Sequence, residues 1–155
     1  ASLEKVELIN DNRISVFTTK NLGVSHARNY GIQQAKGHDI AFLDADDYWE
    51  PEFLENIKSL IEKYPNESVF ASALKIKTSK ETYNASYKDI KLNSQECVVD
   101  YFKASQDHSI LHCSSCVIKK NALEEIGDFD ENLNSKYQFD TNDLINTNAY
   151  KYFYN

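Results

Sequence analysis

At 155 residues the chain has the length of one domain with room for a sizeable core. With 41% hydrophobic and 26% charged residues, and only four Gly and two Pro, its composition is that of a globular domain rather than a disordered or collagen-like one. A formal charge of −7 with scattered Lys and Arg argues against the clustered basic face of a nucleic-acid binder, and no apolar run approaches the ~20 residues of a membrane helix.

The N-terminus has no signal-peptide pattern. Cys97, Cys113 and Cys116 are an odd number, which disfavours a disulfide framework and suits a reducing, cytoplasmic setting. Cys113-Ser-Ser-Cys116, preceded by His112, has no second Cys pair to complete a structural zinc site, so both thiols are expected to be buried and inert.

Taken in order, Leu3, Val6 and Ile9 have near-helical spacing and predict the end of a helix, followed by a turn at Asp11-Asn12. Ile14 to Thr18 is rich in β-branched and aromatic residues and predicts a strand. A helix is expected next, with Ser25 as N-cap, Gly31 allowing close packing and Gly37 as a left-handed stop. Arg28, one turn into it, could face a phosphate or base near the strand ends, or pair with a neighbouring acid.

Asp39 to Trp49 organises the rest. Ile40 to Leu43 is a short apolar run, as expected of a strand buried on both faces of a parallel sheet, and it breaks directly into Asp44, Asp46 and Asp47. Ligands of open α/β sheets bind beyond the carboxyl ends of strands. Three clustered carboxylates repel, and a hard divalent cation facing a phosphorylated ligand offsets that repulsion. The alternative is a solvated turn ahead of the next helix.

Pro51 opens the clearest helix, with 53, 54, 57, 60, 61 and 64 on one apolar face and Pro65 ending it. Trp49, just before it, either walls a ligand site or anchors the helix to the sheet. A strand is expected over Val69 to Ile76, then a loop or hairpin containing Tyr83 and Tyr87. Ser94 is expected to cap a short helix carrying Cys97, Val98, Tyr101 and Phe102. Cys116 to Ile118 should form a strand, and Asn121 should open a capping box on a helix stopped by Gly127. Asp128 to Glu131 reads as an acidic turn, and the aromatic end at Tyr150 to Tyr154 as core or edge strand.

The run Asn21-x-Gly-Val-Ser-x-Ala-Arg-Asn-x-Gly-Ile32, then Phe42-Leu-Asp-Ala-Asp-Asp-x-Trp49 and Pro51, closely resembles the inverting glycosyltransferase family 2. Ile126-Gly-x-Phe-Asp-Glu131 is similar to that family's Gly-x-Phe-Asp-Glu turn. The resemblance implies an α/β, GT-A fold (nucleotide-diphospho-sugar transferase, Rossmann-like), a mixed sheet flanked by helices. The resemblance is dense from Asn21 to Leu54 and weaker from Cys116 to Asp130, and it implies that 1–155 is a single, partial GT-A domain expected to lack the family's opening β-α-β unit.

It implies transfer of a sugar from a nucleotide-diphosphate sugar, a UDP-sugar by family habit, to a saccharide or lipid-linked acceptor hydroxyl with inversion. Asp44-Ala45-Asp46 becomes the DXD motif. Asp44 lies near the ribose, and Asp46, with Asp44, binds Mn²⁺ or Mg²⁺ on the diphosphate. Asn21 and Arg28 line the nucleotide pocket. The catalytic base becomes Asp140, with Asp143 in reserve, although Phe139 stands where the family carries an acid. Peripheral association with membrane machinery fits a lipid-linked acceptor. A non-catalytic nucleotide-sugar-binding fragment on the same fold is the competing reading. A metal-dependent phosphate-ester hydrolase is disfavoured, because no second acidic or His cluster offers a second metal site.

Overall fold

The computed structural model describes residues 9–84, 96, 98–99, 112–127, 129–132 and 152–153. The helix expected over Leu3 to Ile9 falls almost wholly outside them, as do Tyr87, Cys97, Asp140 and Asp143. The elements are α1 (Val24–Gln34), β1 (Asp39–Ala41), α2 (Phe53–Lys63), β2 (Val69–Ala71), β3 (Lys75–Lys77), β4 (Thr82–Asn84), β5 (Val98–Val99), a 3₁₀ turn (Cys113–Ser115), β6 (Cys116–Lys119), α3 (Lys120–Ile126) and β7 (Tyr152–Phe153).

The centre is a three-stranded sheet in the order β1-β6-β2. β6 runs antiparallel to both neighbours, so β1 and β2 share a direction without touching. Ile118 stands opposite Ile40 on one side and Val69 on the other, while Val117 stands between Ala41 and Phe70. Side chains alternate across a strand, and the two rows therefore feed two cores. Ile40, Val69, Ala71, Cys116 and Ile118 meet Ile32 of α1 and Leu123 of α3. Phe70 and Val117 meet Phe53, Ile57 and Leu60 of α2. The result is an α/β layering, with α1 and α3 on one face of the sheet and α2 on the other.

β1 departs from expectation. It is antiparallel to its partner, and only Ile40 is buried; Leu43 is 47% exposed. One side of this strand is paired among the described residues, so an apolar run alone did not decide burial. The segment Ile14 to Thr18 forms no strand, and Ile14, Val16 and Phe17 are exposed. A strand needs a hydrogen-bonding edge, and this segment instead meets α1 through an edge-to-face contact of Phe17 on Tyr30, centroids 5.7 Å apart.

α1 starts after Gly23, whose φ of 100° is a conformation that favours glycine. Ser25 is thus not the cap but a buried residue inside the first turn. Nor does Gly37 stop the helix. Ala35 leaves it in extended geometry, its N–H shared between the Gly31 and Ile32 carbonyls, and Lys120 Nζ donates to the Ala35 carbonyl at 2.8 Å. A cation there suits the negative end of the helix.

α2 buries Phe53, Ile57 and Leu60 as the periodicity required, but Leu54 is 53% exposed. The strand expected over Val69 to Ile76 divides at 72–74 into β2 and β3, and β3 returns as a hairpin with β4, which contains Tyr83. Val98–Val99 pairs with Tyr152–Phe153 as strand, against the expected helix around Val98 and in keeping with an edge-strand role for the aromatic end. α3 opens at Lys119 without a side-chain cap, so the Asn121 capping box does not form, while Gly127 (φ 96°) ends the helix as expected.

Gly31 is exposed, and a Cβ built on it meets nothing within 4 Å, so close packing is not its role. Gly31→Ala should therefore raise unfolding stability by about 0.5–1 kcal/mol through helix propensity, measured as a higher urea midpoint with an unchanged slope.

Candidate functional site

The site is built from four local structures that converge at one end of β1. The first is a tight turn. The Asp47 N–H donates to the Asp44 carbonyl at 3.1 Å, so Ala45 and Asp46 form the tip while Asp44 and Asp47 are drawn together. Asp46 is exposed at that tip.

The second is one stripe of α1. Ser25, Arg28, Asn29 and Ile32 follow the i, i+3, i+4, i+7 spacing of a single helical face. Ile32 enters the core, and the polar members face the loops beside it. Arg28 Nη2 lies 2.9 Å from Asp44 Oδ1 and 3.1 Å from Oδ2, with the Arg28 side chain only 10% exposed. Asn29, 3% exposed, donates to the Phe129 carbonyl at 2.8 Å and to Glu131 Oε1 at 2.9 Å, while its own Oδ1 accepts from Phe129 N–H at 2.8 Å.

The third structure is the acidic turn after α3, which those bonds hold against α1. Phe129 packs edge-on against Phe42, centroids 5.7 Å apart, and lies 5.8 Å from the Arg28 guanidinium. Glu131 also meets His26 Nδ1 at 3.0 Å. Hydrogen bonds from Asn29 first and His26 second hold its carboxyl below the usual range.

The fourth is the 3₁₀ turn leading into β6. Ser114 Oγ accepts from Asp44 N–H at 3.0 Å, and the Ser114 carbonyl accepts from Trp49 Nε1–H at 2.6 Å. Trp49 also stacks on Phe53, centroids 4.9 Å apart. It is both the anchor of α2 and part of the wall of a cleft of about 520 Å³, lined among others by Asp46, Asp47, Tyr48, Asn56 and His112.

The expected site residues thus divide. Arg28 and Asp44 are brought together as an ion pair. Asn21 lies exposed just ahead of Gly23, and Asp46 on the turn tip. The candidate bases Asp140 and Asp143 lie outside the described residues. Sequence reasoning counted Asp47 in the carboxylate cluster but gave the ion to Asp44 and Asp46, and it noted His112 only beside the cysteine pair, because nothing local links it to Asp47, 65 residues upstream.

A divalent cation is implied by the resemblance, and the residues fit one. Asp44, Asp47 and His112 each offer a ligand atom, all within 4.8 Å of one another. An ion with oxygen bonds of about 2.0–2.6 Å separates opposite ligands by about 4–5 Å. Cys113 and Cys116 are free and buried, as expected. Burial pushes the Cys116 thiol up to about 12 and the Cys113 thiol higher still.

A family model described as glycosyl transferase family 2 matches residues 1–127. Among curated proteins, the minor teichoic acid biosynthesis protein GgaB of Bacillus subtilis is 35% identical over 126 residues, 78% of this chain. The putative glycosyltransferase EpsH of Bacillus subtilis is 45% identical over 47 residues, 30% of the chain. An uncharacterized glycosyltransferase of Rickettsia typhi, RT0329, is 24% identical over 139 residues, 88% of the chain. The matches span 13%, 14% and 43% of those three proteins, so the chain corresponds to a part of each.

Asn29→Ala should cost about 2–3 kcal/mol, because it removes three hydrogen bonds that tie α1 to the turn at Phe129 and Glu131; chemical denaturation measures it. Because the Glu131 carboxyl is depressed on folding, its stabilising contribution is complete above the ordinary value of 4.5 and is lost as pH falls through the lower folded value. The protection factors of the amides at 129–132, taken relative to the intrinsic exchange rate at each pH, should fall in that acidic window and not at neutral pH. Site-resolved mass spectrometry after iodoacetamide treatment at pH 8 should find Cys113 and Cys116 unmodified in the native chain and modified in denaturant.

Proposed function

The chain belongs to glycosyl transferase family 2, and from that premise we propose that it acts as the donor-binding part of an inverting, metal-assisted glycosyltransferase using a nucleotide-diphosphate sugar. The observation that carries this reading is the Arg28–Asp44 pair set beside the Asp44–Asp47 turn, at the end of a strand and next to an open cleft.

The donor, a UDP-sugar in this reading, lays its diphosphate against the acid turn. Asp44 serves the ribose side, and Arg28 keeps that carboxylate oriented while lending positive charge to the nucleotide pocket, to which Asn21 also contributes. Asp46, unencumbered at the tip, faces the diphosphate. A bound Mn²⁺ or Mg²⁺ supplies neutralisation for the departing nucleoside diphosphate. The cleft walled by Tyr48 and Trp49 takes the acceptor, since aromatic faces suit the apolar faces of sugar rings. Asp140 removes the acceptor proton on the side opposite the leaving group, with Asp143 as the alternative. GgaB is named for teichoic acid biosynthesis, which supports a cell-envelope polymer or its lipid-linked precursor as acceptor. Such an acceptor places the work at the cytoplasmic face of the membrane, by peripheral association.

The competing reading, a non-catalytic nucleotide-sugar-binding fragment, draws on Phe139, which stands where resembling proteins carry an acid before the base. Manganese-dependent donor hydrolysis and transfer by the full-length protein separates the two. Asp46→Ala should lower the rate by about 10²–10³-fold through lost charge stabilisation, and Asp140→Asn by about 10²–10⁴-fold through the lost base. A wild type with no turnover, but with donor binding intact, points to the fragment.

A further inference from the structure

The motif-based assignment of the cation to Asp44 and Asp46 is not what the side chains gather. The ligand atoms that converge belong to Asp44, Asp47 and His112. We infer that His112 and Asp47 are direct ligands of the divalent ion, making the site a mixed nitrogen–oxygen one that discriminates against Mg²⁺ and Ca²⁺ in favour of Mn²⁺ and later first-row ions.

The inference rests on the metal-assisted reading above and adds to it the identity of the ligands. His112 Nδ1 stands 3.5 Å from Asp47 Oδ2, too far for a firm hydrogen bond and close enough for both to flank one ion. Both side chains are partly exposed, at 46% and 37%, and both line the same cleft, so open coordination positions face the ligand space. His112 is also held from its backbone side. Its N–H donates to Ser115 Oγ at 3.2 Å, and its carbonyl accepts from Ser115 N–H at 2.9 Å. Ser114, in the same turn, grips Asp44 through the 3.0 Å bond to its N–H. Imidazole and acid turn are therefore positioned by one three-residue segment, without a long flexible connection.

Charge favours occupancy. Asp44, Asp46 and Asp47 bring three negative charges into four residues, and Arg28 offsets one of them at Asp44. Carboxylate and water suit Mg²⁺, Ca²⁺ and Mn²⁺ alike, whereas an imidazole nitrogen shifts preference toward transition ions. The same His112 Nδ1 accepts from Ser114 N–H at 3.4 Å as a cap of the 3₁₀ turn, so an ion bound there takes the lone pair from this long hydrogen bond. His112→Asn keeps a capping acceptor and removes the imidazole, which separates the two roles.

The test is manganese chloride alone, titrated into the full chain and followed by pulsed electron paramagnetic resonance. Wild type should bind Mn²⁺ with a nitrogen hyperfine coupling. His112→Asn should remove that coupling and weaken Mn²⁺ by at least about tenfold, the low end of what even an indirect partner of a metal ligand is worth. Asp47→Asn should weaken it similarly, and the excess of Mg²⁺ needed to displace Mn²⁺ should shrink in His112→Asn. Mn²⁺ bound with no nitrogen coupling, or with a coupling that survives His112→Asn, overturns the inference while leaving a carboxylate-held ion. Absence of Mn²⁺ binding at millimolar concentration overturns both this inference and the metal-assisted reading.

Discussion

Ser114 is the contact through which the site depends on the fold. Its side-chain oxygen takes the Asp44 N–H and its carbonyl takes the Trp49 indole N–H, so one residue holds both ends of the Asp44–Trp49 segment. Ser114 can do this because it sits in the 3₁₀ turn that runs directly into β6, the strand paired on both edges. A buried hydrogen bond contributes only about 1 kcal/mol net, but leaving its partners unsatisfied costs about 1–3 kcal/mol. The constraint therefore lies in the penalty for letting go. Four residues that are otherwise a polar turn become a fixed platform.

The same logic governs α1. Its polar stripe lies on a face that ends in a core residue, and two of its members are tied to other parts of the chain. Arg28 meets Asp44, and Asn29 meets both the N–H and the carbonyl of Phe129. Pairing a nearly buried Arg with a half-exposed carboxylate relieves a desolvation cost that neither group could bear alone. It also leaves the acid turn with a smaller charge excess, concentrated toward Asp46 and Asp47. The charges are thus graded, neutralised near the helix and uncompensated toward the cleft. That gradient is what a cationic or metal-bound diphosphate group can use.

The contrast between the thiols and the site is instructive. Cys113 and Cys116 sit within a few residues of His112, a spacing that invites a zinc interpretation. Burial instead takes them into the sheet's core, where desolvation suppresses the thiolate that metal binding requires. His112, at the exposed end of the same turn, is directed toward the carboxylates. Position relative to the core, not proximity in sequence, separates inert groups from reactive ones.

By itself the sequence determined α2, through its 3.6-residue periodicity, the β6 strand, the helix stop at Gly127, and the family membership written in Asn21 to Trp49. These are local or motif-borne signals, and each needs only neighbouring residues to be read. Tertiary structure alone decided that Ile14 to Thr18 is not a strand, that Ile40 rather than Leu43 enters the core, and that Ser25 is buried instead of capping. It also decided that Asp47 and His112, rather than Asp46, converge with Asp44. Strand formation requires a partner edge, and ligand convergence requires two chain segments to meet. Both depend on β6 being inserted between β1 and β2, a pairing across about 80 and about 50 residues of chain that no local pattern encodes.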